Sequence, residues 1–189
     1  MINNKIQTRT GKFIDPLDPD PDMICIEDIA WALMNICRYT GHTNKFYSVA
    51  EHSTLVAISI YNSKSFFATR SLCLTALLHD ASEAYLSDIS SPVKHRLPDY
   101  VKAESRLMSV IADVFGFEYP LPDIVLGADR QILRYEVPAL MNVDDDDLEK
   151  WNLPECDHRF QPVSIPKHQL TRTETYMNFI SLYIKFSGM

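Results

Sequence analysis

Leu77-Leu78-His79-Asp80-Ala81-Ser82-Glu83-Ala84-Tyr85-Leu86-Ser87-Asp88 is the stretch from which the rest of the chain is read. It opens as an apolar helical run and then sets an imidazole beside a carboxylate. Glu83 follows about one turn later, and Asp88 stands where the helix should run out. Asp and Glu are rarely fully buried unless paired or bound to a metal, so this much charge on an otherwise apolar helix asks for a partner. A neutral imidazole, a hard carboxylate and further carboxylates to move protons are the mixture that a transition-metal site uses.

Outward from there, helical patterns dominate the 189 residues. Gly is scarce, strand-like alternation is weak, and 46% of residues are hydrophobic, enough for a true core. These features predict an all-α, single-domain protein, with residues 1–25 as an extended N-terminal arm and 26–189 as the helical domain. The net charge of -7 opposes a general binder of duplex nucleic acid. Cys25, Cys37, Cys73 and Cys156 are scattered without a Cys-x-x-Cys pair, which fits reduced thiols in a cytoplasm. The polar start leads into no apolar h-region, and no apolar run is long enough to span a bilayer, so no membrane association is expected.

In chain order, Asp15-Pro16-Leu17-Asp18-Pro19-Asp20-Pro21 cannot be helical. Helices are expected over Glu27–Cys37, from a Ser48/Glu51 capping box to about Tyr61, over Phe66–Leu86, over Asp99–Phe115, over Ile124–Glu136 with Pro138 kinking or ending it, and over Thr171–Phe186. Arg38 falls at the end of the first, either complementing the helix dipole or clamping a phosphate. His52 reads as a core histidine or as a ligand. Asp129 needs an arginine or a metal. Lys94 is either a plain surface lysine or a contact to substrate phosphate. The acid run Asp144-Asp145-Asp146-Asp147 reads as a solvated loop. His95, His158 and His168 read as surface residues. The apolar stripe of the last helix and the Pro-rich arm suggest a homo-oligomer.

The set His52, His79-Asp80 and Asp129, in that order, resembles the HD superfamily of metal-dependent phosphohydrolases. The context "FYSVAEHS", "LLHDASEAYLSDISSPVK" and "GADRQIL" is similar to compact HD proteins that include bacterial 5′-deoxynucleotidases and phage-encoded nucleotide hydrolases such as dATP triphosphohydrolases. The resemblance spans roughly Ile26 to Met141. It implies an HD-type helical bundle in which His52, His79, Asp80 and Asp129 bind one divalent ion. Co, Mn, Zn and Fe all suit that donor set. It also implies that Glu83 and Asp88 work on the attacking water or the leaving oxygen, and that Lys94 faces phosphates. Where the nucleotidases carry Arg-Trp, this chain has Arg38-Tyr39, which leaves open how the base or sugar is held. His42 is either a further donor for a longer phosphate chain or a local turn residue. The expected activity is hydrolysis of the 5′-phosphoester of deoxynucleotides, first as a dNTP (dATP) triphosphohydrolase and second as a nucleotidase acting on dNMPs. The cytoplasm is the expected site, that of the host if the chain is phage-encoded. A module that binds metal and nucleotide without turnover, and hydrolysis of guanosine tetraphosphate or a cyclic dinucleotide, are the alternatives.

Overall fold

The computed structural model describes residues 4–63 and 68–188. Nine helices carry the described residues, with one small hairpin before them. These are α1 (Ile26–Leu33), α2 (Val49–Tyr61), α3 (Arg70–Leu77), α4 (Glu83–Leu86), α5 (Ser91–Lys94), α6 (Pro98–Phe115), α7 (Asp123–Leu140), α8 (Asp145–Lys150) and α9 (Arg172–Ser187). α2 and α3 form the centre. α9 packs across both, α7 lies along α2, and α1 packs on α4 and α9. Leu33, Val56, Leu77, Leu78, Ile132 and Phe179 are fully buried where these helices meet. No helix among the described residues is long and apolar enough to cross a membrane.

The arm is extended only in part, and it is docked onto the domain. β1 (Ile6–Gln7) pairs antiparallel with β2 (Phe13–Ile14), and Ile14 is fully buried in the same core as α1. Asp28, near the start of α1, holds the hairpin. Its carboxylate accepts from Thr10 N at 2.8 Å, Thr10 Oγ1 at 2.7 Å and Cys25 Sγ at 3.1 Å. Burial alone would raise the Asp28 pKa, but these donors carry it below its usual value. A depressed folded pKa contributes stability that is present above the unfolded value near ~4 and is lost as pH falls through the folded one. Asp28→Asn turns one acceptor into a donor facing a donor, so it should cost about 1–3 kcal/mol at pH 7. Urea unfolding at pH 7 and pH 3 checks this, because the gap to wild type should narrow in acid.

Several helix boundaries differ from those expected, each for a local reason. α1 stops at Leu33 because Asn35 folds back, its Nδ2 donating to Trp31 O at 2.7 Å and its N to Ala32 O at 2.9 Å. Arg38 is therefore not at a helix C-terminus. It lies in extended backbone whose N–H donates to Tyr47 O at 2.9 Å, beside a bridge between Cys37 and Ser48. The dipole reading of Arg38 falls with that placement. The Ser48/Glu51 capping box forms as expected. α7 runs through Pro138 to Leu140, its last carbonyls accepting from Asn44, N to Leu140 O at 2.7 Å and Nδ2 to Ala139 O at 3.3 Å. The acid run is helical rather than loop: Asp144 caps α8 by accepting from Asp147 N at 2.8 Å, and the following acids complement the dipole. α9 carries its own capping box at Thr171 and Glu174.

The largest departure concerns the expected helix over Phe66–Leu86. Its first residues lie outside the described ones. α3 begins at Arg70 under a Thr69 cap and ends at Leu77. Leu78 to Ser82 forms tight turns, with Ala81 N donating to Leu78 O and Glu83 N to Asp80 O, both at 3.0 Å, and α4 then starts at Glu83. On a regular helix, adjacent side chains diverge by about 100°. Breaking the helix here lets His79 and Asp80 turn to one place.

Candidate metal centre and cleft

Three segments contribute to one buried cluster. α2 supplies His52, the turn after α3 supplies His79 and Asp80, and α7 supplies Asp129. His52 Nε2 lies 3.0 Å from Asp129 Oδ1 and 3.8 Å from Asp80 Oδ2. His79 Nε2 lies 3.1 Å from Asp80 Oδ2 and 3.8 Å from Asp129 Oδ1. The donor atoms of His52, His79 and Asp129 all fall within 4.8 Å of one another, and Asp80 closes the group through those two contacts.

The outer nitrogens of both rings are fixed by the fold. His79 Nδ1 lies 2.8 Å from Ala76 O, a carbonyl that only accepts, so Nδ1 carries the proton. His52 Nδ1 lies 2.7 Å from Glu136 Oε1. Glu136 is fully buried. Burial would raise its pKa, but Arg38 and His52 hold it well below the usual carboxylate range, so it too accepts. Both histidines thus present Nε2 to the cluster, and both Nε2 atoms are buried without a hydrogen-bond partner of acceptable geometry. Burial and the Arg38 charge lower the His52 pKa, while Glu136 and Asp129 outweigh them and push it up to about 9. Asp80 and Asp129 are both lowered against the effect of burial, Asp80 by His79, His52 and Arg38, Asp129 by His52 and His79. Two imidazole nitrogens without partners facing two ionised carboxylates fit a divalent ion of the borderline class. The hydrogen bonds that the far ring nitrogens donate to Ala76 O and Glu136 Oε1 are the usual support for histidine ligands.

Above the cluster opens a cleft of about 660 Å³. Arg38, Tyr39, His42, Asp80, Glu83, Asp88, Lys94 and Asp129, all singled out from the sequence, line it, and His52 and His79 lie beneath Asp80 and Asp129. Backbone strain aims two of the lining residues. Tyr39 has φ 55° and Thr40 φ 53° in the turn that presents the Tyr39 ring, and Ser87 has φ 69° just before Asp88. Such conformations cost on the order of 1–3 kcal/mol each in a residue with a Cβ. Tyr39 OH donates to Glu136 Oε2 at 2.6 Å, and Tyr100 OH donates to Ser87 O at 2.8 Å, fixing both turns.

Glu83 is buried, and its Oε2 has no hydrogen-bond partner. Burial, then the charges of Asp80 and Asp88, push its pKa well up. Burial raises Asp88 as well. Lys94 is not free: its Nζ lies 2.6 Å from Glu104 Oε1 on α6, a helix from which the sequence suggested only packing. Glu136 and Trp151 also went unnoticed. Glu136 stands seven residues after Asp129, two turns along the same helix face, and that spacing was a usable signal. Trp151 lines the cleft from the end of α8, and no local pattern announces it. His95, His158 and His168 are exposed.

The fold and the site define an all-α protein with a buried two-histidine, two-aspartate cluster under a charged cleft. No family model matches the chain. It is 38% identical over 133 residues to the uncharacterized protein YfdR of Escherichia coli strain K12, covering 69% of each chain. It is 40% identical over 116 residues to an uncharacterized protein of Rhodobacter capsulatus, covering 60% of this chain and 59% of the relative. The chain belongs to the family of YfdR.

Proposed function

We propose that the protein is an HD-type phosphohydrolase cutting the 5′-phosphoester of deoxynucleotides, with a dNTP such as dATP as its substrate and deoxynucleoside plus triphosphate as products. The observation that carries this reading is the pair of buried, partnerless Nε2 atoms converging with Asp80 and Asp129 on the floor of a cleft that also holds two acids and two fixed cations.

His52, His79, Asp80 and Asp129 would hold the ion, which supplies Lewis acidity toward a phosphoryl group. Arg38 and Lys94 offset phosphate charge from the cleft wall, Arg38 braced by Glu136 at 3.4 Å and Asp80 at 3.7 Å, and Lys94 by Glu104. Burial, then the charges of Asp80 and Asp88, raise the Glu83 pKa well above the usual carboxylate value, which favours its protonated form. It is thereby suited to protonate the leaving 5′-oxygen. Asp88, held at the cleft by the Ser87 turn, is the second group for proton movement.

One observation favours the monophosphate reading as second. The permanent cations of the cleft lining are Arg38 and Lys94, both already paired with acids. A triphosphate carries more charge than these two offset alone. The protein, loaded with Mn²⁺ or Co²⁺ and assayed against each dNTP and dNMP by ion chromatography, should release triphosphate from dATP, and EDTA should stop the release. Phosphate released from monophosphates alone would leave the dNMP reading in place. Metal retained without hydrolysis of any nucleotide would leave a binding module.

A further inference from the structure

The cleft has two unlike linings. Around the metal cluster it is charged, whereas Tyr39, Leu133, Met141 and Trp151 give it an apolar, aromatic wall. Trp151 follows the last turn of α8, and 36% of its surface is exposed. Its ring meets Tyr39 edge-on, with centroids 6.0 Å apart and planes at 75°. Tyr39 is rigid, its hydroxyl tied to Glu136 and its backbone held in the left-handed region. Its edge contact with Tyr39 leaves the indole partly open within the cleft. A large aromatic left half-covered beside a charged site suits a ligand that is anionic at one end and flat and apolar at the other.

The geometry points to Trp151, together with Tyr39, as the subsite for the heteroaromatic base of a nucleotide. This assignment rests on the phosphohydrolase reading for its substrate class, although base binding can be measured without turnover. Aromatic faces hold bases by stacking, which every base can do, so this subsite selects nucleosides over bare sugar phosphates and discriminates weakly among bases. It also supplies the aromatic surface that Tyr39 alone provides on a smaller ring.

The chain has two tryptophans. Trp31 packs edge-on against Tyr176 with centroids 6.2 Å apart and is not among the residues lining the cleft. Full-length protein labelled with 5-fluorotryptophan therefore gives two ¹⁹F resonances, assigned through Trp31→Phe or Trp151→Phe, whichever folds. Deoxyadenosine should shift the Trp151 resonance saturably, and 2-deoxyribose should not. In steady-state assays Trp151→Ala should raise KM for the nucleotide by about 5- to 150-fold, the range of base–aromatic stacking, with Trp151→Phe restoring most of it. A Trp151 resonance indifferent to deoxyadenosine, or moved equally by 2-deoxyribose, overturns the assignment even if nucleotides are hydrolysed. A specific shift without any hydrolysis keeps the subsite and removes the proposed activity instead.

Discussion

Glu83→Gln is expected to lower kcat for deoxynucleotide hydrolysis by about 10²- to 10⁴-fold, the usual contribution of a positioned acid or base. Metal content, measured by plasma mass spectrometry, should not change. The reason lies in the surroundings of the side chain. Glu83 is buried at the cleft with Oε2 unpartnered, and burial together with the neighbouring acids raises its pKa well above the usual carboxylate value. Glutamine preserves the shape and has no proton of that acidity to give. A variant that turns over as fast as wild type removes Glu83 from the chemistry and leaves proton transfer to another group.

Glu136→Ala should do more damage to the protein as a whole. Glu136 accepts from His52 Nδ1 at 2.7 Å and Tyr39 OH at 2.6 Å, and it pairs with Arg38 Nη2 at 3.4 Å. Deleting it strands a buried guanidinium, a phenol and an imidazole nitrogen together. Breaking a buried charge pair in this one-sided way costs about 3–5 kcal/mol, read as a lowered urea midpoint. Loss of the carboxylate behind a histidine ligand typically weakens metal affinity by about 10- to 100-fold, read by competition with a chelating indicator. Glu136→Gln, which retains an acceptor, should fall between the two. Undiminished metal affinity in a folded Ala variant would mean that His52 is oriented by its packing alone.

The two experiments probe different links. Glu83 touches the space where substrate would lie. Glu136 acts through His52 and through Arg38-Tyr39, so it joins the buried cluster to the cleft wall above it. Backbone strain at Tyr39 and Ser87 belongs to the same design, because both turns deliver a side chain to the cleft and are tied by tyrosine hydroxyls.

Much of this architecture was legible in the residues. Helical periodicity located α2, α6, α7 and α9, because each buries one stripe and each has an unambiguous start: a capping box, a proline or an acid in the first turn. The break after Leu77 was not legible. Leu78 to Leu86 keeps a helix-like pattern, and what interrupts it is the tight turn with Nδ1 of His79 bonded to Ala76 O. That choice depends on what His79 and Asp80 face, which is Asp129 on α7, far away in sequence. The docked hairpin was hidden for a similar reason: Ile14 finds its core only once α1 is in place.

The chain alone determined the helical class, the candidate His52, His79, Asp80 and Asp129, and the acids beside them, since residue type and local period are properties of the string. Only the tertiary structure decided that these side chains meet, that Glu136 stands behind His52, that Glu104 holds Lys94, and that Trp151 meets Tyr39 edge-on in the cleft wall. Most of those are contacts between residues far apart along the chain, and the Lys94–Glu104 pair joins two separate helices. Such contacts are set by how helices pack around a shared core, and no local pattern encodes that packing.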